Sequence, residues 1–244
     1  MAGPLLVVSP HLDDAVLSSG ATIAAARTEV VVCTVFAGLP EPPLSAPARE
    51  FHAVCGLGDD AVAARRAEDR AALALLGAQA LHWDLLDGIY RRRGAGWLIE
   101  QLGSHLDAAT AFEPELADAI ASALRELVRS LRPSAVWTCA AIGDHVDHRA
   151  VLAASRAACA AEGVALHLWE DLPYAIGRPA PPIGEALVAE PADLAAKLDA
   201  IGCYRSQLGM LFGEADWRTA FQEHARMRRQ SHGATELIWA APAP

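Results

Sequence analysis

Two kinds of apolar pattern alternate along the chain. Short unbroken runs, Leu5-Leu6-Val7-Val8 and Glu29–Val35, are rich in β-branched residues and predict strands buried on both faces. Apolar positions at helical spacing predict helices over Asp14–Arg27, Ala61–Leu76, Glu115–Leu131, Ala192–Tyr204 and Asp216–Arg229, with another running from Arg149 through Ala161. Further strands are predicted at Ala80–Trp83, Ala135–Cys139, Ala165–Trp169 and Thr235–Trp239. Asp60 stands where it can cap the second helix, Gly77 is the glycine expected just past its end, and Arg132-Pro133 breaks the third. Strands alternating with helices predict an α/β fold, a single domain over residues 1–244 with a mostly parallel, doubly wound (Rossmann-like) sheet. One connection, Ala37–Asp60, is long and carries Pro40, Pro42, Pro43 and Pro47. It follows strand two, so it is expected at the carboxyl edge of the sheet as a rim or lid.

Composition narrows the partners. With 244 residues, 53% of them hydrophobic and 20% charged, the chain can bury a substantial core. A net charge of −10 disfavours nucleic acid and anionic membranes, so neither is expected as a partner. The five cysteines are scattered with no CxxC pair, which reads as reduced, buried thiols. No basic-apolar leader is evident and no apolar run reaches the roughly 20 residues of a membrane span. A cytoplasmic protein is expected, with homo-oligomerisation left open.

Candidate chemistry concentrates on two turns. Ser9-Pro10-His11-Leu12-Asp13-Asp14 joins the first strand to the first helix, and Gly143-Asp144-His145-Val146-Asp147-His148 joins a later strand to its helix. In an open α/β sheet such turns share the ligand-binding edge. Catalytic zinc takes three protein ligands, nitrogen or carboxylate oxygen, and keeps a fourth position for water. His11, Asp14 and His148 can supply these, leaving Asp13 as a base beside the activated water. His145, if protonated, can donate to the oxyanion, and Asp147 can accept a ring N–H and orient a histidine. The plainer reading makes Asp13 and Asp14 helix caps and the histidines loop or surface residues. His52, in the rim, could approach a substrate, and Arg91–Arg93 reads as a solvated turn or an anion contact. The remaining histidines, His105 among them, read as structural or surface residues. A doubly wound nucleotide-binding protein is the rival from another class. It lacks a GxGxxG turn, and two carboxylates would repel a phosphate there. No GxSxG elbow is present.

The paired motifs resemble those of the PIG-L/LmbE family of zinc-dependent N-acetylglucosaminyl deacetylases, which carry H-P-D-D-E and H-P-D-H turns. The likeness extends through Gly20–Ile23, Arg65–Glu68, Leu76-Gly77, Asp87-Gly88, Leu131–Pro133 and Arg205–Gln207. It implies that His11, Asp14 and His148 are zinc ligands, Asp13 the general base and His145 the oxyanion partner, with Fe2+ or Co2+ as alternative metals. It implies a hydrolase that removes an acetyl (acyl) group from an N-acetylated amino sugar or glycoconjugate, a small-molecule substrate. A metallo-amidase on a non-sugar amide has the same motifs. The chain departs from the family at Leu12, Ala15 and Val146.

Overall fold

The apolar runs at Leu5 and Val30 form the middle of a six-stranded sheet. The structure is a computed structural model and describes residues 3–106, 112–181, 183 and 191–242. In chain order the elements begin with β1 (Leu5–Ser9), α1 (Asp14–Ala25), β2 (Val30–Thr34), α2 (Ala46–Val54), α3 (Ala61–Leu75) and β3 (Gln79–His82). A small hairpin follows, β4 (Arg92–Arg93) with β5 (Gly96–Trp97), then α4 (Pro114–Leu131), β6 (Ala135–Cys139), α5 (Val146–Glu162) and β7 (Leu166–Trp169). The chain closes with α6 (Pro191–Ile201), α7 (Arg205–Phe212), α8 (Trp217–His232) and β8 (Ile238–Ala240).

The sheet order is β3-β2-β1-β6-β7-β8. Leu5 pairs with Val30 on one side and with Ala135 on the other, both parallel. Strand order therefore reverses at β1, and the turns after β1 and β6 leave the same edge side by side. Every residue of β1 and β2 is buried, as their unbroken apolar runs require. Helices flank the sheet, with α4 packed on α5 and α1 on α6. Among the described residues no helix is long and apolar enough to cross a membrane.

Several local expectations change. Part of the 37–60 connection is a helix: Ser45 Oγ accepts the Ala48 N–H at 3.0 Å and Pro47 sits in the first turn of α2. His52, on that helix, is buried and meets the Tyr90 hydroxyl at 2.8 Å, so it packs into the protein. Asp60 makes no side-chain capping bond. A helix not anticipated, α7, starts directly after Tyr204, whose single non-helical conformation separates it from the preceding turn. The last strand is shorter than expected and antiparallel to β7. Its first residues are taken up elsewhere, because Glu236 turns inward and accepts the Ala21 and Thr22 N–H groups at 3.0 and 2.8 Å. Those amides lie just past a kink at Ser19 in α1, so Glu236 caps the helix's second half. Lys197 reaches the same carboxylate at 2.6 Å.

A second, smaller core lies beside the carboxyl edge. It joins Leu12 and Val146 from the two motif turns to Ala48 of α2, and to Ile89, Tyr90 and Ile99. The two positions where the family has proline thus anchor the rim.

Candidate active site at the carboxyl edge of the sheet

The first turn is braced before any ligand is considered. The Ser9 hydroxyl donates to the His11 carbonyl at 2.8 Å and accepts the Ala15 N–H at 3.1 Å. Asp14 Oδ2 accepts the His11 backbone N–H at 2.8 Å, which folds its carboxylate back over the turn. In the second turn Gly143 has φ +100. A Cβ there would stand 2.9 Å from the Tyr174 ring, so a glycine is needed on both counts.

These turns bring two imidazoles onto one carboxylate oxygen. His11 Nδ1 and His148 Nε2 each lie 3.2 Å from Asp14 Oδ2. The far nitrogen of each ring is held by another buried carboxylate. His11 Nε2 meets Asp147 at 3.0 Å, and His148 Nδ1 meets Asp171 at 2.8 Å. Both outer carboxylates are themselves tied down. Asp147 accepts the Gly88 N–H at 2.9 Å and Arg91 at 2.7 Å, and Asp171 accepts the Ala140 and Ile142 N–H groups, both at 3.0 Å. Rings fixed from behind in this way present their inner nitrogens inward, the arrangement of carboxylate–histidine–metal triads.

The donor set fits a divalent ion. Ligands about 2.0–2.1 Å from a tetrahedral zinc stand about 3.3 Å apart, close to the 3.2 Å at which each imidazole nitrogen lies from Asp14 Oδ2. The two rings also group with that of His145, their nitrogens within 4.8 Å of one another. His148 Nε2 is buried and its 3.2 Å approach to Asp14 Oδ2 is not aligned as a hydrogen bond, so the nitrogen faces the cluster without an aligned hydrogen-bond partner. Without a cation, that crowd of donors would have to carry protons. Burial disfavours charge on His148, but Asp14 and Asp171 outweigh it and raise its pKa to about 9. His11 moves the same way, burial being outweighed by Asp87, Asp14 and Asp147. Asp14 is held well below the carboxylate range, since His148 and His11 outweigh its burial. A divalent cation would replace those protons.

Asp13 and His145 flank this triad. Burial, with Asp14 beside it, raises Asp13 to about 6, against the opposing pull of Arg65, whose Nη2 lies 3.9 Å away. His145 has its ring centroid 4.7 Å from that of His11 and 5.0 Å from that of His148. The protonated ring expected from the sequence is not what forms here. His145 Nδ1 accepts the Asp147 backbone N–H at 3.1 Å, so the single ring proton sits on Nε2. Burial and the two neighbouring histidines hold its pKa well below 6.5. Asp144, just before it, is exposed with φ 59.

Four participants escaped the sequence reading of the site. Asp171 was visible only as one acid after a strand. Arg91, read as a solvated turn or an anion contact, lies against the carboxylates of Asp147 and Glu113. Asp87 sits 3.6 Å from His11 Nε2. His105 stacks its ring 4.7 Å from that of His145. Asp87 and His105 line a cavity of about 580 Å³ together with His11, Asp13, Asp14, Arg65 and His145.

Comparison with known proteins shows where the chain belongs. The family profile described as PIG-L, GlcNAc-PI de-N-acetylase, matches residues 6–159. The chain belongs to the PIG-L family. The 2'-N-acetylparomamine deacetylase of Streptomyces fradiae is 31% identical over 179 residues, covering 71% of this chain and 58% of that protein. The match therefore spans a little over half the length of that relative. Among solved structures, teicoplanin deacetylase in its zinc-inhibited form superposes with a TM-score of 0.84 at 35% identity, over 97% of each chain. The deacetylase of the A40926 pseudoaglycone does so with a TM-score of 0.78 at 34% identity, over 97% of this chain and 95% of that one.

Proposed function

We propose that this protein is a zinc-dependent N-deacetylase that hydrolyses the acetamide of an amino sugar, N-acetylglucosamine in the first instance. What carries the reading is the convergence of two carboxylate-backed imidazoles on Asp14 Oδ2, next to a buried carboxyl near pKa 6. His11, Asp14 and His148 would hold the ion. When bound, it supplies a Lewis acid that polarises the amide carbonyl and makes a water acidic.

The remaining work falls to the chain. Asp13 takes the proton from the attacking water and returns it to the departing nitrogen, so that acetate and a free amine leave. His145 donates its Nε2–H to the oxyanion of the tetrahedral intermediate; a neutral donor suffices, because the hydrogen bond strengthens as charge develops. Asp147 and Asp171 keep His11 and His148 in the tautomers that ligation requires. The 37–60 segment borders the substrate through Glu50 and Phe51 of α2. The enzyme works in the cytoplasm; its five free cysteines, four of them buried, suit a reducing compartment.

Acetate release from a panel of N-acetylated sugars by the zinc-loaded protein tests the activity. Release from N-acetylglucosaminides is the expected result, and no release from any member would refute the reading. Asp171 offers a separate check on the metal centre. Asp171→Ala is expected to weaken zinc binding by about 10–100-fold, as loss of an outer histidine partner does. A competition titration with a chromogenic chelator reads this directly, and undiminished affinity would mean that His148 does not ligate through Nε2.

A further inference from the structure

Two side chains that line the cavity each bury a polar atom with no hydrogen-bond partner among the described residues: Arg65 its Nε and Gln207 its Oε1. Arg65 is 6% exposed and Gln207 1%. A buried donor or acceptor left unmet is costly, so a fold keeps one where something else comes to meet it. The two residues lie together. Burial raises the pKa of Cys55 against the pull of Arg65 and of Gln207, whose Nε2 stands 3.6 Å from the thiol sulfur. Arg65 Nη2 in turn lies 3.9 Å from Asp13, so the pair adjoins the base.

The orientation of the Gln207 amide follows from its neighbours. Ser206 has one hydroxyl proton, which goes to Glu68 Oε2 at 2.5 Å, while Glu68 Oε1 accepts the Ser206 N–H at 3.0 Å. Towards Gln207 the serine oxygen can therefore only accept, at 2.9 Å, which requires Nε2 on that side. Oε1 is left as a bare acceptor. Tyr204, just before α7, donates to Asp69 of α3 at 2.7 Å and ties the same helix down a second time.

An unmet donor near an unmet acceptor fits a hydroxyl, which takes one hydrogen bond and gives another. An anion would suit Arg65 but would face Gln207 Oε1 and the carboxylates of Asp13 and Asp87 in the same lining. In a glycoside of N-acetylglucosamine the anomeric oxygen is substituted. The one free hydroxyl on a carbon next to the amide-bearing carbon is then at C3. With the amide held beside Asp13, that hydroxyl is the one nearest the Arg65–Gln207 wall. We propose that Gln207, aimed by Glu68 through Ser206, is a specificity-determining residue that accepts the hydrogen bond of the C3 hydroxyl of the amino sugar. The proposal rests on the deacetylase reading above and adds which hydroxyl that substrate has to carry.

The test uses the full-length, zinc-loaded protein with methyl N-acetylglucosaminide and its 3-deoxy and 4-deoxy forms. Removing the C3 hydroxyl strands both buried atoms, so kcat/KM should fall by about 10–100-fold. Gln207→Met removes the acceptor, and the 3-deoxy penalty should shrink by about fivefold or more while the 4-deoxy penalty stays as it was. Glu68→Gln separates aiming from support. Its amide nitrogen can donate to Ser206 Oγ, which frees the serine proton for Gln207 and turns the glutamine NH2 towards the cavity. The 3-deoxy penalty should shrink there too, with zinc retained, whereas a purely supporting role would slow all three compounds alike. Should Gln207→Met fail to fold, Glu68→Gln carries the same comparison. Equal kcat/KM for the parent and 3-deoxy compounds would overturn the subsite and leave the deacetylase standing. So would a 3-deoxy penalty that both variants leave unchanged, or a change confined to the 4-deoxy penalty. If none of the three is hydrolysed, the deacetylase reading fails and the subsite with it.

Discussion

Alanine in place of His11, Asp14 or His148 is expected to leave the purified protein without stoichiometric metal and without deacetylase activity. Each substitution removes one corner of a three-atom set whose separations from Asp14 Oδ2 are 3.2 Å. The loss in metal affinity should exceed the roughly 10–100-fold cost of removing an outer partner. Elemental analysis after dialysis checks it, and full metal content in all three variants would refute the ligand set. The same cluster predicts how metal binding responds to pH. Without metal, His148 keeps its proton up to about pH 9 and His11 is shifted in the same direction. Zinc must displace those protons, so apparent affinity should rise by about tenfold per pH unit for each proton released below the raised pKa values. For the metal-free fold the sign is opposite. The raised pKa of His148 contributes stability fully present below its unfolded value of about 6.5 and lost as pH climbs through about 9. Thermal melts of the metal-free protein across that window read the loss.

Asp13→Asn should keep the metal and lose turnover by about 10²–10⁴-fold, the usual worth of general base catalysis. The amide is nearly isosteric but cannot accept a proton from water. In the unsubstituted enzyme, kcat/KM should rise with pH through an acid limb at or below about 6, the value that burial and Asp14 impose on Asp13. A neighbouring divalent ion adds to Arg65 in favouring the carboxylate and so can only move the limb down. Arg65→Met, which removes the opposing charge 3.9 Å away, should move it up. A variant at Asp13 that kept full turnover, or that shed its zinc, would reassign the base.

The alternation of apolar runs was enough to place the sheet and most of the helices, because burial of both strand faces demands unbroken apolar sequence. The two motif turns were legible for a related reason: each follows such a run directly, and parallel strands put their following turns on one edge. The helix within 37–60 was obscured by its prolines. Yet Pro47 sits in the first turn, where a missing N–H costs nothing, and Ser45 supplies the cap. The Thr235–Trp239 expectation counted Glu236 as part of a strand, whereas its carboxylate serves the broken helix α1.

What the sequence by itself determined was the α/β class and the inventory of donors: two histidine–aspartate turns, about 130 residues apart, able to hold an ion and a base. The tertiary structure decided how those donors are aimed. Asp171 and His105 carry no local signature, and Asp87 and Arg91, though marked in the sequence, did not disclose their partners, because their meaning lies in contacts across the fold, such as Asp171 with His148 and Arg91 with Asp147. The protonation of His145 was settled in the same way. A backbone N–H two residues on donates to its Nδ1, and a backbone amide can only donate. Residue types and their order record which groups are present, but hydrogen-bond direction, burial and the balance of nearby charge exist only once the chain has closed.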